Sequence, residues 1–288
     1  MIDYFFHKLK TPVNISMVIL VKNEEDIIEK NIRFHSAIGV DNFVVMDNNS
    51  DDNTRDILDK LSKEFEITII DEKSPYSQSK FMTKLNRIAK QKYNPDWIIN
   101  NDADEFWIPQ TNKSLKDILN FKGGVLQIQR SNMVLYDGLE NWWESEYRVA
   151  NQILSREDYE NTNIVLGRAG RKVIINPHGY YKTNSGNHSA EHIAFWKKQE
   201  LKDIHIYHYP IRSYEQFEKS IANRAKLLKV GAKMGSQYKK WAKLYEEGKL
   251  KQEFEKMVFN EEKLKCLQEV NIIKKDTKAR ELFSKLSI

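Results

Sequence analysis

Four short apolar runs, separated by segments of helical periodicity, occupy the first hundred residues, and this alternation sets what the chain can fold into. Residues 15–22 (ISMVILVK), 42–47 (NFVVMD), 67–71 (ITIID) and 96–101 (DWIINN) are continuous and rich in β-branched residues. That is the pattern of strands buried on both faces. Between them lie IIEKNIRFHSAIG, TRDILDKLSKEF and QSKFMTKLNRIAKQKY, all with helical spacing. A β-α-β-α-β-α-β order predicts a mostly parallel sheet with helices on both faces. Ligands of such sheets sit beyond the carboxyl ends of the strands. Here those ends carry Asn23 and Glu24, Asp47 and Asn49, Asp71, and Asp102 with Asp104. One acidic end is an ordinary helix cap; several that converge on one crevice point to a cation-assisted site.

The turn after the first run has neither the GxGxxG nor the GxxxxGK[ST] pattern, since Asn23-Glu24-Glu25 stands where a backbone would wrap phosphate. A diphosphate bound here needs a metal to neutralise it. The segment Asn101-Asp102-Ala103-Asp104-Glu105-Phe106-Trp107 supplies the means. A hydrophobic strand delivers two carboxylates with one small residue between them, and alternate side chains of an extended chain share a side. Asp102 and Asp104 can thus address one hard cation, Mn²⁺ or Mg²⁺. Such an ion stabilises the charge that develops on a nucleoside diphosphate leaving group. A surface acidic turn is the alternative for the same residues. Trp107 reads as structural.

Further along, VLQIQRSNMVLY, RKVIINP and DIHIYHYP read as strands. DGLENWWESEY and HGYYKTNSGNHSAEH read as loops, and the chain from Tyr214 onward reads as helical. The expected organisation is a catalytic domain over 1–212 and a helical extension over 213–288 packed on it.

Of the 288 residues, 40% are hydrophobic and 30% charged, a globular mixture with enough apolar surface for a core. The lone Cys266 excludes an intrachain disulfide and thiolate-rich zinc sites. With no secretory h-region and no apolar window long enough to span a bilayer, a cytoplasmic location is expected. The net charge of +5 is concentrated in late lysine-rich segments. These read as solvated helix faces or as a surface resting on anionic lipid, which would place the protein peripherally on the inner face of the plasma membrane. No nucleic-acid-binding signature is present.

Two sets of segments carry a family resemblance. VILVKNEEDIIEKNIRFHSAIGVDNFVVMDNNSDDNT and QSKFMTKLNRIAKQKYNPDWIINNDADEFW lead, followed by RKVIINP, SGNHSAEH and IHIYHYPIRSYEQFEKSI. Together they resemble bacterial family 2-like GT-A glycosyltransferases with a D-x-D-E-F-W block. The resemblance implies a GT-A, Rossmann-like α/β fold, a nucleotide-sugar donor, most simply a UDP-sugar, and a divalent metal. It further implies that Lys22, Asn23 and Glu24 line the nucleotide pocket, with Asp47 and Asn49 at the base or ribose. Gln78, Lys84 and Arg87 lie on the helix before the metal motif, each either reaching the donor or simply solvated. Asp102 and Asp104 match the metal pair, Asp102 also touching the donor, and His208 fits a late metal ligand, which favours Mn²⁺ over Mg²⁺. Arg212 would clamp the diphosphate. His188 would meet the acceptor or else the metal, and Trp241, Tyr245 and Gly248 would serve packing.

An inverting transfer needs a general base. Glu191 ranks first and Glu105 second, ahead of Asp137 and Glu144. Trp142 and Trp143 either stack on acceptor sugar rings or plug the core. The reading is therefore a metal-dependent hexosyltransferase-type enzyme acting on a glycan or lipid-linked glycan, in surface polysaccharide, capsule or lipopolysaccharide synthesis. The alternatives are a sugar nucleotidyltransferase, for which KNEED is a poor triphosphate loop, and a non-catalytic protein that binds glycan or a membrane surface.

Overall fold

The computed structural model describes residues 3–151, 164–167, 169–229, 231 and 234–288. The chain forms two compact, discontinuous units. The first comprises residues 1–130 and 170–206 with residue 288, the second residues 131–169 and 207–287. Where the sequence suggested one boundary at 212, residues 131–169 group with the C-terminal helices.

In the first unit, a short helix α1 (Asp3–Phe6) precedes the expected alternation: β1 (Ile15–Val21), α2 (Ile28–Ala37), β2 (Asn42–Asp47), α3 (Thr54–Leu61), β3 (Ile67–Asp71), α4 (Gln78–Tyr93) and β4 (Trp97–Asn101). After β4 come β5 (Glu105–Pro109), α5 (Leu115–Ile118) and β6 (Val125–Ile128); β7 (Arg130–Asn132) starts on the last residue of this segment and continues into the second unit. Following β8 (Tyr147–Val149) in the second unit, the chain returns with β9 (Lys172–Ile175), β10 (Tyr180–Thr183), β11 (Ala190–His192) and β12 (Lys198–Glu200). A seven-stranded sheet runs in the order β12-β6-β9-β4-β1-β2-β3. The strands β3, β2, β1 and β4 are mutually parallel, and β9 is antiparallel to both β4 and β6. This is the mostly parallel α/β architecture expected.

The parallel strands are covered on both faces, which is why they read as continuous apolar runs. Val18, Val44, Met46 and Ile98 pack with Phe81, Met82, Leu85 and Ala89, the inward stripe of α4. Their neighbours Met17, Ile19, Val45 and Ile99, which alternation turns to the other face, are equally buried. Edge strand β3 is only half-buried, as its single neighbour requires.

Two local expectations change. VLQIQRSNMVLY breaks into β6 and β7 rather than one strand. HGYYKTNSGNHSAEH, read as a loop, contains the antiparallel pair β10–β11, with Thr183 opposite Ala190. Strands of three or four polar residues lack the length and alternation that identify a strand in sequence.

The second unit is mainly helical, with α6 (Tyr214–Lys229), α7 (Ser236–Glu246), α8 (Leu250–Glu255), α9 (Glu261–Glu269) and α10 (Lys278–Leu286). β8 pairs antiparallel with β14 (Ile273–Lys275). Phe217, Ile221, Trp241, Leu250 and Met257 make one apolar cluster, so Trp241 packs as expected. Gly248, at φ 70, ends α7 with Lys249 N donating to Leu244 O at 2.8 Å, a conformation glycine adopts without steric cost. Among the described residues, no helix is long and apolar enough to cross a membrane.

Candidate active site

β4 delivers Asp102 into a tight turn in which Glu105 N donates to Asp102 O at 3.1 Å. The side chains alternate around it. Asp102 and Asp104 are half-buried, while Ala103 and Glu105 are buried, as the D-x-D spacing predicts. The turn is held from beneath by α2. Asn31 Nδ2 donates to Ala103 O at 2.8 Å and to Glu105 O at 3.0 Å, and its Oδ1 accepts from Asn101 Nδ2 at 3.1 Å. Trp107 Nε1 donates to Asn101 Oδ1 at 2.7 Å. His35, fully buried, accepts from Trp107 N at its Nε2 and donates from Nδ1 to Asn31 O at 2.8 Å. Burial pushes the His35 pKa down to about 3, against a smaller opposing pull from the Asn31 backbone bond. The carboxylate turn therefore rests on a neutral, satisfied polar network.

Two cations meet the carboxylates. Lys172, at the start of β9 and 1% exposed, pairs with Asp102 Oδ2 and lies 3.3 Å from Glu105 Oε1. Arg130, at the start of β7, pairs with the same Glu105 oxygen. Burial opposes the charge on both cations. The nearby carboxylates outweigh it, Asp102 and Glu105 for Lys172 and chiefly Glu105 for Arg130, so both pKa values are raised. Asp102 Oδ1 accepts from Asn187 Nδ2 at 3.0 Å. Glu105, the second base candidate, is thus an enclosed counter-ion to two cations.

The nucleotide-side candidates converge at neighbouring strand ends, where Val21 of β1 sits opposite Asp47 of β2. Lys22 Nζ donates to Asn48 O at 3.1 Å and Asn49 O at 2.8 Å. Asn23 N donates to Ser50 Oγ, and Glu24 N to Thr54 Oγ1 at 2.8 Å. Asp47 Oδ1 accepts from both Ser50 N, at 2.9 Å, and Ser50 Oγ, at 2.6 Å. Asn23 and Asn49 adopt φ values of 57 and 59, so asparagines supply the left-handed backbone that a glycine-rich turn would provide. Lys84 is engaged with Glu72 at 3.0 Å.

From the other side, Gln78 Oε1 accepts from Gly186 N at 2.8 Å, one residue before the Asn187 that reaches Asp102. Arg87 donates to Tyr181 O at 3.4 Å. His188 Nδ1 donates to Arg171 O at 2.6 Å, with its ring seated between two glycines. A Cβ at Gly186 would lie 2.4 Å from that ring, and one at Gly170 2.7 Å. Glu191 is exposed on β11, with Lys182 of β10 3.9 Å away.

The remaining candidates lie in the second unit. His208, the last residue of β13 (Ile204–His208), has its Nδ1 2.6 Å from Asn132 Oδ1. Arg212 is buried and donates to Tyr209 O at 3.2 Å. Trp142 is buried against Tyr209 and Phe283, with ring centroids 4.8 and 6.3 Å away, which makes it a core plug; Trp143 beside it is half-buried.

The profile of glycosyltransferase family 92 matches residues 12–268. The chain belongs to that family. The resemblance to family 2-like enzymes and this match agree at the level of glycosyltransferase. Among curated proteins none matches in sequence. Among solved structures, S. aureus TarS residues 1–349 is 16% identical with a TM-score of 0.43, the alignment covering 79% of this chain and 68% of that one. Glucosyl-3-phosphoglycerate synthase from Mycobacterium tuberculosis, in a complex with Mn²⁺, UDP-glucose and phosphoglyceric acid, is 17% identical with a TM-score of 0.32, covering 58% of each.

For a glycosyltransferase that uses a divalent ion, Asp102 and Asp104 are suitable donors: hard oxygens, half-buried, in a braced turn. Sequence reasoning missed Asn31, His35, Arg130, Lys172 and Asn187. A polar residue inside a helical or strand pattern gives no sign of its distant partner.

Proposed function

We propose that this family 92 glycosyltransferase uses a divalent ion, Mn²⁺ in preference to Mg²⁺, to transfer a hexose from a UDP-sugar to a glycan or lipid-linked glycan, with inversion. The observation that carries the reading is that Asp102 and Asp104, both half-buried, stand in the turn that ends β4, in the sheet whose neighbouring strands β1 and β2 end in Lys22–Glu24 and Asp47–Asn49. A bound ion would supply charge neutralisation to the departing diphosphate. Asp102 and Asp104 would hold it, and His208 is the further ligand taken from the sequence. Lys22, Asn23, Glu24, Asp47 and Asn49 would orient the nucleotide; Gln78 and Arg87 would shape the donor side, and Arg212 would counter phosphate charge. Glu191, exposed on β11, is the leading base for the acceptor hydroxyl, and His188 and Trp143 belong to the acceptor side. Synthesis of bacterial surface polysaccharide or lipopolysaccharide is the biological setting.

A peripheral contact with an anionic membrane has its own observation. Phe195 and Trp196 are 74% and 58% exposed, and Lys198 and Lys202 nearby in the chain are exposed too. Aromatic rings beside lysines suit the boundary of an anionic bilayer.

The deciding experiment is calorimetric titration with uridine diphosphate, with and without Mn²⁺, on wild type and Asp104→Ala. Binding that requires both the ion and Asp104 is expected. Absence of binding across uridine, guanosine, thymidine and cytidine diphosphates would overturn the reading.

A further inference from the structure

The carboxylate turn is nearly charge-neutral before any ligand arrives. Asp102 and Glu105 contribute two negative charges, and Lys172 and Arg130 pair with those same two groups. Asp104 is the third carboxylate of the turn, and its charge acts on Arg130 as well. Lys172 is no surface residue that strayed inward. It is 1% exposed and its backbone is fixed opposite Ile128 by the β6–β9 ladder. Its ammonium is thus enclosed beside Asp102 and Glu105. Glu105 is fully buried, and its Oε2 has no hydrogen-bond partner among the described residues. The local balance is therefore set by fixed groups rather than by mobile side chains.

We propose that Lys172 is a positioning residue that pre-neutralises Asp102 and so makes tight binding of the divalent ion conditional on the donor's diphosphate. This rests on the metal-dependent reading above. An ion that meets this turn alone is attracted by little net charge and faces a fixed ammonium beside one of its two carboxylates. With a diphosphate present, the ion gains phosphate oxygens and two or more negative charges. Metal and nucleotide then each raise the affinity of the other by the same factor, as linkage requires. The enzyme would thus hold little metal when no donor is bound.

The test is Mn²⁺ titration followed by electron paramagnetic resonance of the free ion, with and without uridine diphosphate. It is run on wild type, Lys172→Met, Lys172→Arg and Asp104→Asn. Wild type should bind Mn²⁺ weakly alone and much more tightly with the nucleotide. Lys172→Met should bind Mn²⁺ alone roughly tenfold or more tightly than wild type, within the usual range of such couplings. Its dependence on nucleotide should shrink by a similar factor. Lys172→Arg, which keeps the charge, should retain the wild-type dependence. Should Lys172→Met fail to fold, Lys172→Gln, which keeps a polar group in the same enclosed place without the charge, replaces it and carries the same expectation. Equal nucleotide-free affinity with and without the lysine overturns the proposal even where Asp104→Asn abolishes the ternary complex. Unchanged ternary binding in Asp104→Asn instead overturns the metal reading on which it rests.

Discussion

The Nε2 of His35, fully buried on α2, accepts a hydrogen bond from the backbone N–H of Trp107 at 3.2 Å. Protonation would turn that acceptor into a donor facing a donor, in a place without water. Burial has already moved the His35 pKa down to about 3. The unfolded chain takes up the proton near the ordinary value of about 6.5, while the folded chain does not until far lower pH. Stability from this group is therefore complete above about 6.5 and is lost as pH falls toward 3, at about 1.4 kcal/mol per pH unit. Urea midpoints at intervals between pH 7.5 and 4.5 should decline more steeply for wild type than for His35→Gln. Parallel curves would show that His35 does not titrate on unfolding.

Asn31 should be as intolerant of change as the carboxylates it supports. Its one amide donates to the carbonyls of Ala103 and Glu105, both flanking Asp104. Asn31→Ala leaves two buried acceptors unmet, and each such loss costs about 1–3 kcal/mol. Asn31→Asp is worse, because it points a carboxylate oxygen at those carbonyls. Chemical denaturation should rank the proteins wild type, then Asn31→Ala, then Asn31→Asp. Mn²⁺-dependent nucleotide binding should fall in the same order. A fully stable Asn31→Asp would mean that the turn is held by other contacts.

These groups show where sequence reading stopped. β1, β2 and α4 were legible to within a residue, because burial on two faces or along one stripe leaves a periodic apolar record. The turn that carries Asp102 and Asp104 was legible because the apolar run of β4 stops there. Lys172 was not. In RKVIINP it reads as the solvated start of a strand, and its burial depends on Asp102 and Glu105, some seventy residues earlier. The position of β9 between β4 and β6, antiparallel to both, likewise leaves no periodic trace. It is that placement which brings Lys172 to the turn. Trp142 and Trp143 shared one sequence argument, and only packing against Tyr209 and Phe283 separates the first as core.

The seat of His188 can be dissected through its two glycines. Gly186 has φ 76, and a Cβ there would fall 2.4 Å from the imidazole; Gly170 has no such backbone constraint, but its Cβ would fall 2.7 Å from the same ring. Alanine at either position must displace His188. Removing the imidazole should therefore rescue Gly170→Ala nearly completely in a His188→Ala background. It should rescue Gly186→Ala only in part, since the left-handed backbone still disfavours a side chain by about 1 kcal/mol. Thermal denaturation of the two double-mutant cycles reads this directly. If His188 also meets the acceptor, His188→Ala raises KM for acceptor and leaves KM for donor unchanged.

Membrane attachment, if it uses the Phe195–Trp196 tip, has an apolar and an ionic component that respond to different variants. The two rings pack edge to face at 5.2 Å and are both largely exposed. Wild type should cosediment with phosphatidylglycerol-containing vesicles at low salt, with a blue shift of tryptophan emission. Phe195→Ser/Trp196→Ser should lose binding at all salt concentrations, because it removes the inserted surface. Lys198→Glu/Lys202→Glu should weaken binding by about tenfold or more at low salt, as expected for about 1 kcal/mol per lysine near an anionic surface. That difference should fade as the Debye length shortens at high salt. Vesicle binding that survives both changes would move the contact to the lysine-rich helices of the second unit, where substitutions in α7 would then be the ones to abolish it.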